Sequence, residues 1–287
     1  ITLPINETTI AFDGYNYFEE QNADENNIMI TNRELFVLED NTFRLPIYTG
    51  LNAPTIIFYK DGEIIASEKF SYDQDSSNQI KYVSIYGDAV NWDTFEERVL
   101  EDGGVDFENS VCLQSFFNNY SIGAVDKIEV SGSGQKIQTI KVNVLEECKY
   151  EPKKVTFINK FGALQDMYFF KKSVEMMNVE KESYKSNILN SSGGYSISSH
   201  VNRNFNVVGK ESVTLSSGFL SEEYNEVFKQ MMLSEKVWVT NIIETGEQVL
   251  PINVKTSDIT YKTSLNDKLV EYTIEFDKSY DTINNVR

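Results

Sequence analysis

Apolar and polar residues alternate along most of this chain, and in one place the alternation gives way to a helical period. In Leu269–Lys278, Val270, Tyr272, Ile274 and Phe276 take one side, and Glu271, Thr273, Glu275 and Asp277 take the other. That two-residue period predicts a half-buried strand. Lys236–Ile243, Gln248–Lys255 and Ser257–Lys262 also read as strands. Ahead of them, Tyr224, Val227, Phe228, Met231 and Met232 recur at a period of about 3.6 residues, which predicts one apolar face of a helix. Ser221 is placed to cap that helix, and Glu222 and Glu223 fall in its expected first turn, where the helix dipole favours negative charge.

The earlier part of the chain reads as short strands joined by polar turns. Ile28–Thr31, Leu35–Leu38, Pro54–Tyr59, Glu63–Ser67 and Ile80–Tyr86 are candidates, and Asp61–Gly62 is a hairpin turn signal. Trp92–Glu101 reads as a short helix, because Thr94 and Glu97 have capping-box spacing and Phe95, Val99 and Leu100 can face a core. Lys127–Val130 and Lys136–Leu145 flank a Ser131–Gly134 turn. Strands at this spacing predict a β-sandwich. Lys154–Asn159 and Asp166–Lys172 flank a turn at Gly162. Ser173–Asn187 has no clear period and reads as a long strand or an exposed arm.

The expected fold is therefore mainly β: two antiparallel β-sandwich or β-barrel domains, each with one short helix. Residues 1–149 form an acidic sandwich-like accessory domain. Residues 150–287 form a barrel-plus-helix domain with an extended arm around 173–211. Pro152 interrupts strand pairing near the boundary.

Charge sharpens that division. The chain of 287 residues carries a formal net charge of −18. Residues 1–150 hold 10 Lys/Arg against 26 Asp/Glu (−16), and residues 151–287 hold 16 against 18 (−2). So acidic a first half repels nucleic acid, and no specific nucleic-acid binding is expected. No stretch approaches the ~20 apolar residues of a membrane-spanning helix. No basic segment followed by an apolar one opens the sequence. Cys112 and Cys148 are the two cysteines, too few for a disulfide-stapled scaffold. Two free buried thiols are expected, with a single bridge left open.

Candidate chemistry is sparse. His200 is the only histidine, so a Ser/His/Asp or Cys/His arrangement would have to use it. It sits in Ser198–Asn202, which reads as a strand or arm at a surface or interface. Asp73, Asp75 and Asn78 form one acidic loop, and Glu101, Asp102, Asp106 and Glu108 another. Oxygen-rich loops suit Ca²⁺, but neither cluster has EF-hand register. Trp92 and Trp238 read as core residues, with a sugar platform or, for Trp238, a subunit contact as the alternatives. The expectation is a non-enzymatic protein without catalytic residues, cofactor or metal.

One resemblance adds to these readings. Cys148–Pro152, Val155–Gly162, Leu215–Ser221 with the following helix, Lys236–Val239, Leu250–Ile252 and the closing strand resemble tail-tube and distal-tail (tail hub) virion proteins of tailed bacteriophages. The likeness covers about half the chain. It implies a structural component of the tail or head–tail junction, located in the virion and assembled in the host cytoplasm. Such proteins form ring oligomers around a DNA conduit and bind neighbouring tail or neck proteins through sheet edges and arms. The alternative expectation is a carbohydrate-binding or adhesin β-module, calcium-dependent if the acidic loops supply ligands.

Overall fold

Strand pairing organises the computed structural model, which describes residues 28–38, 42–48, 54–69, 80–86, 93–99, 105–112, 125–132, 137–145, 149–189, 191–243, 246–259 and 269–283. In the first half the strands are β1 Glu34–Leu38, β2 Thr42–Tyr48, β3 Thr55–Lys60, β4 Glu63–Lys69, β5 Ile80–Tyr86, β6 Asp93–Val99, β7 Val105–Cys112, β8 Lys127–Ser131 and β9 Gln138–Leu145. Five of them form one sheet in the order β1-β9-β8-β3-β4. The β3–β4 hairpin turns at Asp61–Gly62, as its turn chemistry predicts, with φ of 50° and 83°. β2 pairs with β5, and β6 with β7.

Alternation places the core of this half. Leu35 and Val37 on β1, Ile56 and Phe58 on β3, Ile128 and Val130 on β8, and Ile140 and Val142 on β9 are buried together. Phe43, Leu45 and Ile47 of β2 join the same cluster.

The second half is one larger sheet and a helix. Its strands are β10 Lys153–Ile158, β11 Leu164–Phe169, β12 Val174–Lys185, β13 Asn202–Ser216, β14 Leu220–Ser221, β15 Val237–Ile243, β16 Gly246–Val254, β17 Leu269–Val270, β18 Thr273–Lys278 and β19 Thr282–Ile283. Helix α1 spans Tyr224–Leu233. The sheet runs β11-β10-β15-β16-β18-β13-β12, with β19 also paired to β13. Val270, Tyr272, Ile274 and Phe276 are all buried, so the strand period identified the inner face correctly. Tyr224, Val227, Phe228 and Met231 of α1 are buried, and Met232 is half-buried. Phe228 stacks edge-on against Phe169 and Tyr272, at centroid distances of 6.2 and 4.6 Å.

Several expectations are corrected. The second-half sheet is not a closed barrel: β11 and β12 end its strand order and do not pair with each other. Nor is the first sheet wholly antiparallel, since β1 runs parallel to β9. The expected helix at Trp92–Glu101 is strand β6, paired antiparallel with β7. A capping-box spacing is a local cue, and pairing with β7 satisfies the same backbone groups that a helix would. Among the described residues α1 is the only helix. Ser221 does not cap it. Glu223 is the N-cap residue and makes no side-chain cap hydrogen bond, because Ser221 lies two residues earlier, paired with Leu269. Ser257–Ile259 is not strand. There the chain has turned away, with the Lys255 and Thr256 amides both donating to the Glu275 carbonyl at 2.9 and 3.3 Å.

The halves meet along a buried polar seam, with β11 at its centre. Every residue of β11 is buried, although the strand carries Gln165 and Asp166. Asp166 accepts hydrogen bonds from the Arg44 amide (3.0 Å), from Arg44 Nε (2.9 Å) and from Thr156 Oγ1 (2.7 Å). Arg44 Nη2 also donates to Thr156 Oγ1 at 2.8 Å. Asn159 Nδ2 donates to the Met29 carbonyl at 2.6 Å, and Gln165 Nε2 donates to Asn32 Oδ1 at 3.2 Å. From the helix, Gln230 Nε2 donates to Thr31 Oγ1 at 3.1 Å, and Glu223 accepts from the Arg33 amide at 3.0 Å. The Phe36 and Tyr224 rings lie 5.6 Å apart.

Asn159 also shapes the β10–β11 turn. Its Oδ1 accepts from the amides of Phe161 (3.0 Å) and Ala163 (3.1 Å), while Gly162 takes the left-handed φ of 76° that the turn requires.

Candidate functional site

The most distinctive surface is the β12–β13 hairpin. β13 is 15 residues long, and only its second part is held on both sides. Ser212–Ser216 pair with β18, and Val208 and Gly209 pair with β19. From Asn202 to Val207, β12 is the sole strand neighbour of β13 among the described residues. The hairpin therefore projects beyond the sheet.

Local chemistry explains how the projection holds its shape. The β12–β13 register slips between Glu180 and Glu182, and Asn206 sits at that slip with a left-handed φ of 49°. This is the geometry of a β-bulge, which raises local twist. Asn206 Nδ2 donates to Glu182 Oε1 at 3.1 Å. Past the slip, the Tyr184 and Phe205 rings meet edge-on at 5.6 Å. At the base, Lys278 bridges to Glu211, and Thr282 Oγ1 donates to the same carboxylate at 3.2 Å. That contact holds the Glu211 carboxyl below its ordinary range and raises the Lys278 ammonium.

Among the described residues β12 is an edge strand, and it is exposed along all 12 of its residues. One flank of its backbone is therefore open for pairing, a condition that natural sheets usually blunt. Its exposed side chains include Val174, Met176, Met177, Val179 and Tyr184, with Met176 at 58%. Glu175, Glu180, Lys181 and Glu182 interrupt them, as charges do on edges that avoid indiscriminate pairing. At the far end, residues 186–201 form an irregular loop closed by the Ser186 amide donating to the Val201 carbonyl at 2.7 Å. Ile188, Leu189, Tyr195 (71%) and Ile197 (97%) are exposed there among Ser, Asn and Gly.

The residues singled out from sequence scatter relative to this surface. His200 does lie in the tip loop, with an exposed side chain. Its carbonyl accepts long contacts of 3.4 Å from Ser186 Oγ and Arg203 Nε. Trp238 is half-buried on β15, opposite Thr156 and Pro251, away from the hairpin. Asp106, Glu108 and Cys112 belong to strand β7 rather than to a loop. Asp73, Asp75, Asn78, Trp92, Glu101, Asp102 and Cys148 lie outside the described residues. Among the described residues no three His, Cys, Asp or Glu side chains are grouped to hold a metal, and no helix is long and apolar enough to cross a membrane.

Sequence reasoning missed the Arg44–Asp166–Thr156 cluster. Its one signal was an acid inside the apolar run from Ala163 to Phe170. Burial alone would push the Asp166 carboxyl up, but the Arg44 charge and its hydrogen bonds outweigh burial and hold it below its usual range. Asp166 is therefore a fixed anion that ties β2 to β10 and β11.

Comparison with protein-family models, with curated proteins and with solved structures returns no match for this chain.

Proposed function

We propose that this protein is a non-enzymatic structural component of a tailed-bacteriophage virion, at the tail or the head–tail junction. In this reading it assembles as a ring around the DNA conduit. Residues 1–149 act as a sandwich-like accessory unit, and residues 150–287 act as the tail-protein-like unit. The phage assignment rests on the sequence resemblance across the second half.

The structural observation that supports it is the β12–β13 hairpin. An edge strand exposed over 12 residues, ending in a loop with bare Ile, Leu and Tyr side chains, costs solvation energy in a lone molecule. That cost is offset when neighbouring subunits cover the strand, either by adding strands to the open edge or by receiving the tip. Contacts between unlike surfaces close into rings when the rotation allows.

Native mass spectrometry of the purified full chain, together with imaging of virions carrying a tag on it, tests this reading. A discrete oligomer and density in the tail or neck are expected. A strict monomer that is absent from particles would overturn it.

A further inference from the structure

The hairpin tip differs in charge from everything around it. From Ser183 to Lys210 the chain contains no Asp or Glu, yet it holds Lys185, Arg203 and Lys210. Lys210 is neutralised across the strands by Glu180, at 2.9 Å. Lys185 and Arg203 are exposed, and neither meets a carboxylate among the described residues. They come from the two strands of the stem, one step apart in register, since Lys185 pairs with Asn202 and Tyr184 with Arg203, so the two cations stand on opposite faces of the hairpin. Just beyond them lies the loop with exposed Ile188, Leu189, Tyr195 and Ile197.

The tip therefore has an apolar end, a collar of two cations and no anion. Its remaining Ser, Asn and Gly residues are the kind that adapt hydrogen bonds to a protein partner. A partner for this end needs apolar surface set among carboxylates. The first half of the same chain offers that charge, at −16 over residues 1–150. Asp61, Glu63 and Asp126 are exposed there, and Ile64, next to Glu63 on β4, which ends its sheet among the described residues, has 61% of its surface exposed. Because β12 is exposed along its whole length, the hairpin is not already folded back on the acidic half of its own molecule.

We propose that the hairpin tip docks on the acidic first half of a second copy of this chain, in a head-to-tail contact. The inference deepens the ring reading above and rests on it. Such a contact uses two different patches, so each molecule keeps one free donor and one free acceptor until the ring closes. The cations orient the encounter, and the apolar tip supplies the lasting contact.

The test uses the full chain as an equal mixture of unlabelled and ¹⁵N-labelled protein, joined by a zero-length carbodiimide that links lysines to carboxylates. Mixed-isotope links from Lys185 to Asp or Glu within residues 1–150 are expected. Sedimentation of the double variant Lys185→Glu with Arg203→Glu should show an apparent self-dissociation constant raised about tenfold or more. Both sites are exposed, so the variant should keep its melting temperature. Self-association that persists with an unchanged constant in the double variant would overturn the docking inference and leave the ring reading standing. So would Lys185 links confined to residues 151–287. A protein monomeric at every concentration would overturn both.

Discussion

Arg44 and Asp166 lie 122 positions apart, and the Arg44 guanidinium and amide both close on one buried carboxylate. Asp166 is fully buried, and Thr156 occupies the remaining side of the pair with its hydroxyl. A buried ion pair repays its desolvation only when its hydrogen bonds are complete, and removing one member strands the other. Here every direction around the carboxylate is used, which makes the seam intolerant of partial change.

Asp166→Asn should therefore destabilise the protein by ~3–5 kcal/mol at neutral pH in urea titrations. Arg44→Met combined with Asp166→Leu should cost less than either single change, because no charge is left stranded. A loss below ~1 kcal/mol for Asp166→Asn would show that the seam carries little of the stability.

The same pair sets a pH dependence. The folded Asp166 carboxyl titrates below the unfolded value of ~3.9. As pH falls, the unfolded chain takes up this proton first. The stabilisation from Asp166 is thus fully present above the unfolded value and is lost as pH drops through the folded one. The stability gap between wild type and Asp166→Asn should be constant above about pH 5 and narrow below about pH 4, in denaturation series run at each pH. A gap that widens on acidification would mean a raised carboxyl instead.

How legible these features were in the sequence depended on the range of the contact behind each. The strand period of Val270–Phe276 and the helical period of Tyr224–Met231 report burial directly, and both inner faces came out as expected. The Asp61–Gly62 and Gly162 turns are set by local backbone chemistry and were equally readable. β6 was misread because a capping-box spacing is a local cue, whereas the decision was made by pairing with β7. Ser221 was misassigned for the same reason, its backbone being claimed by Leu269 some 48 residues later. The seam was the least legible of all. Asn32, Arg44, Thr156, Asn159 and Asp166 look like ordinary strand and turn residues until β11 brings them together. The hairpin arm was half legible: its aperiodic charge and apolar mixture suggested an exposed element, and the pairing with β13 gave it a shape.

The helix should be a core element, not a surface ornament. Phe228 is fully buried and contacts the rings of Phe169 and Tyr272, while Phe169 in turn meets Phe276 at 6.0 Å. Phe228→Ala should cost ~3–5 kcal/mol in equilibrium unfolding, from lost burial plus the cavity left beside the Phe169 and Tyr272 rings.

Gly218 is held by two constraints at once. Its φ is 71°, and a Cβ there would lie 2.3 Å from Phe170 Cε2. Gly193 has a similar φ of 74° with nothing within 4 Å of its Cβ position. Gly193→Ala should therefore show the backbone cost alone, about 1 kcal/mol, while Gly218→Ala should cost about 2 kcal/mol or more as Phe170 is displaced. Thermal melts of the two variants side by side separate the two causes, and equal losses would show that Phe170 moves aside freely.

The hairpin can be shortened without touching the core. Glu182 and Phe205 are direct cross-strand partners, so replacing residues 183–204 by Asn-Gly closes the stem with a two-residue turn of the type antiparallel strands favour. The removed segment contributes no residue to either buried cluster. The shortened protein should melt within about 3 °C of the full chain, since only the exposed Tyr184–Phe205 contact is lost and both buried clusters stay whole. Its self-association should nevertheless disappear in sedimentation, because the exposed Ile, Leu and Tyr side chains of the tip go with it. If the shortened chain unfolds instead, the arm is part of the folding unit and the energy assigned to contacts between copies belongs to the single molecule.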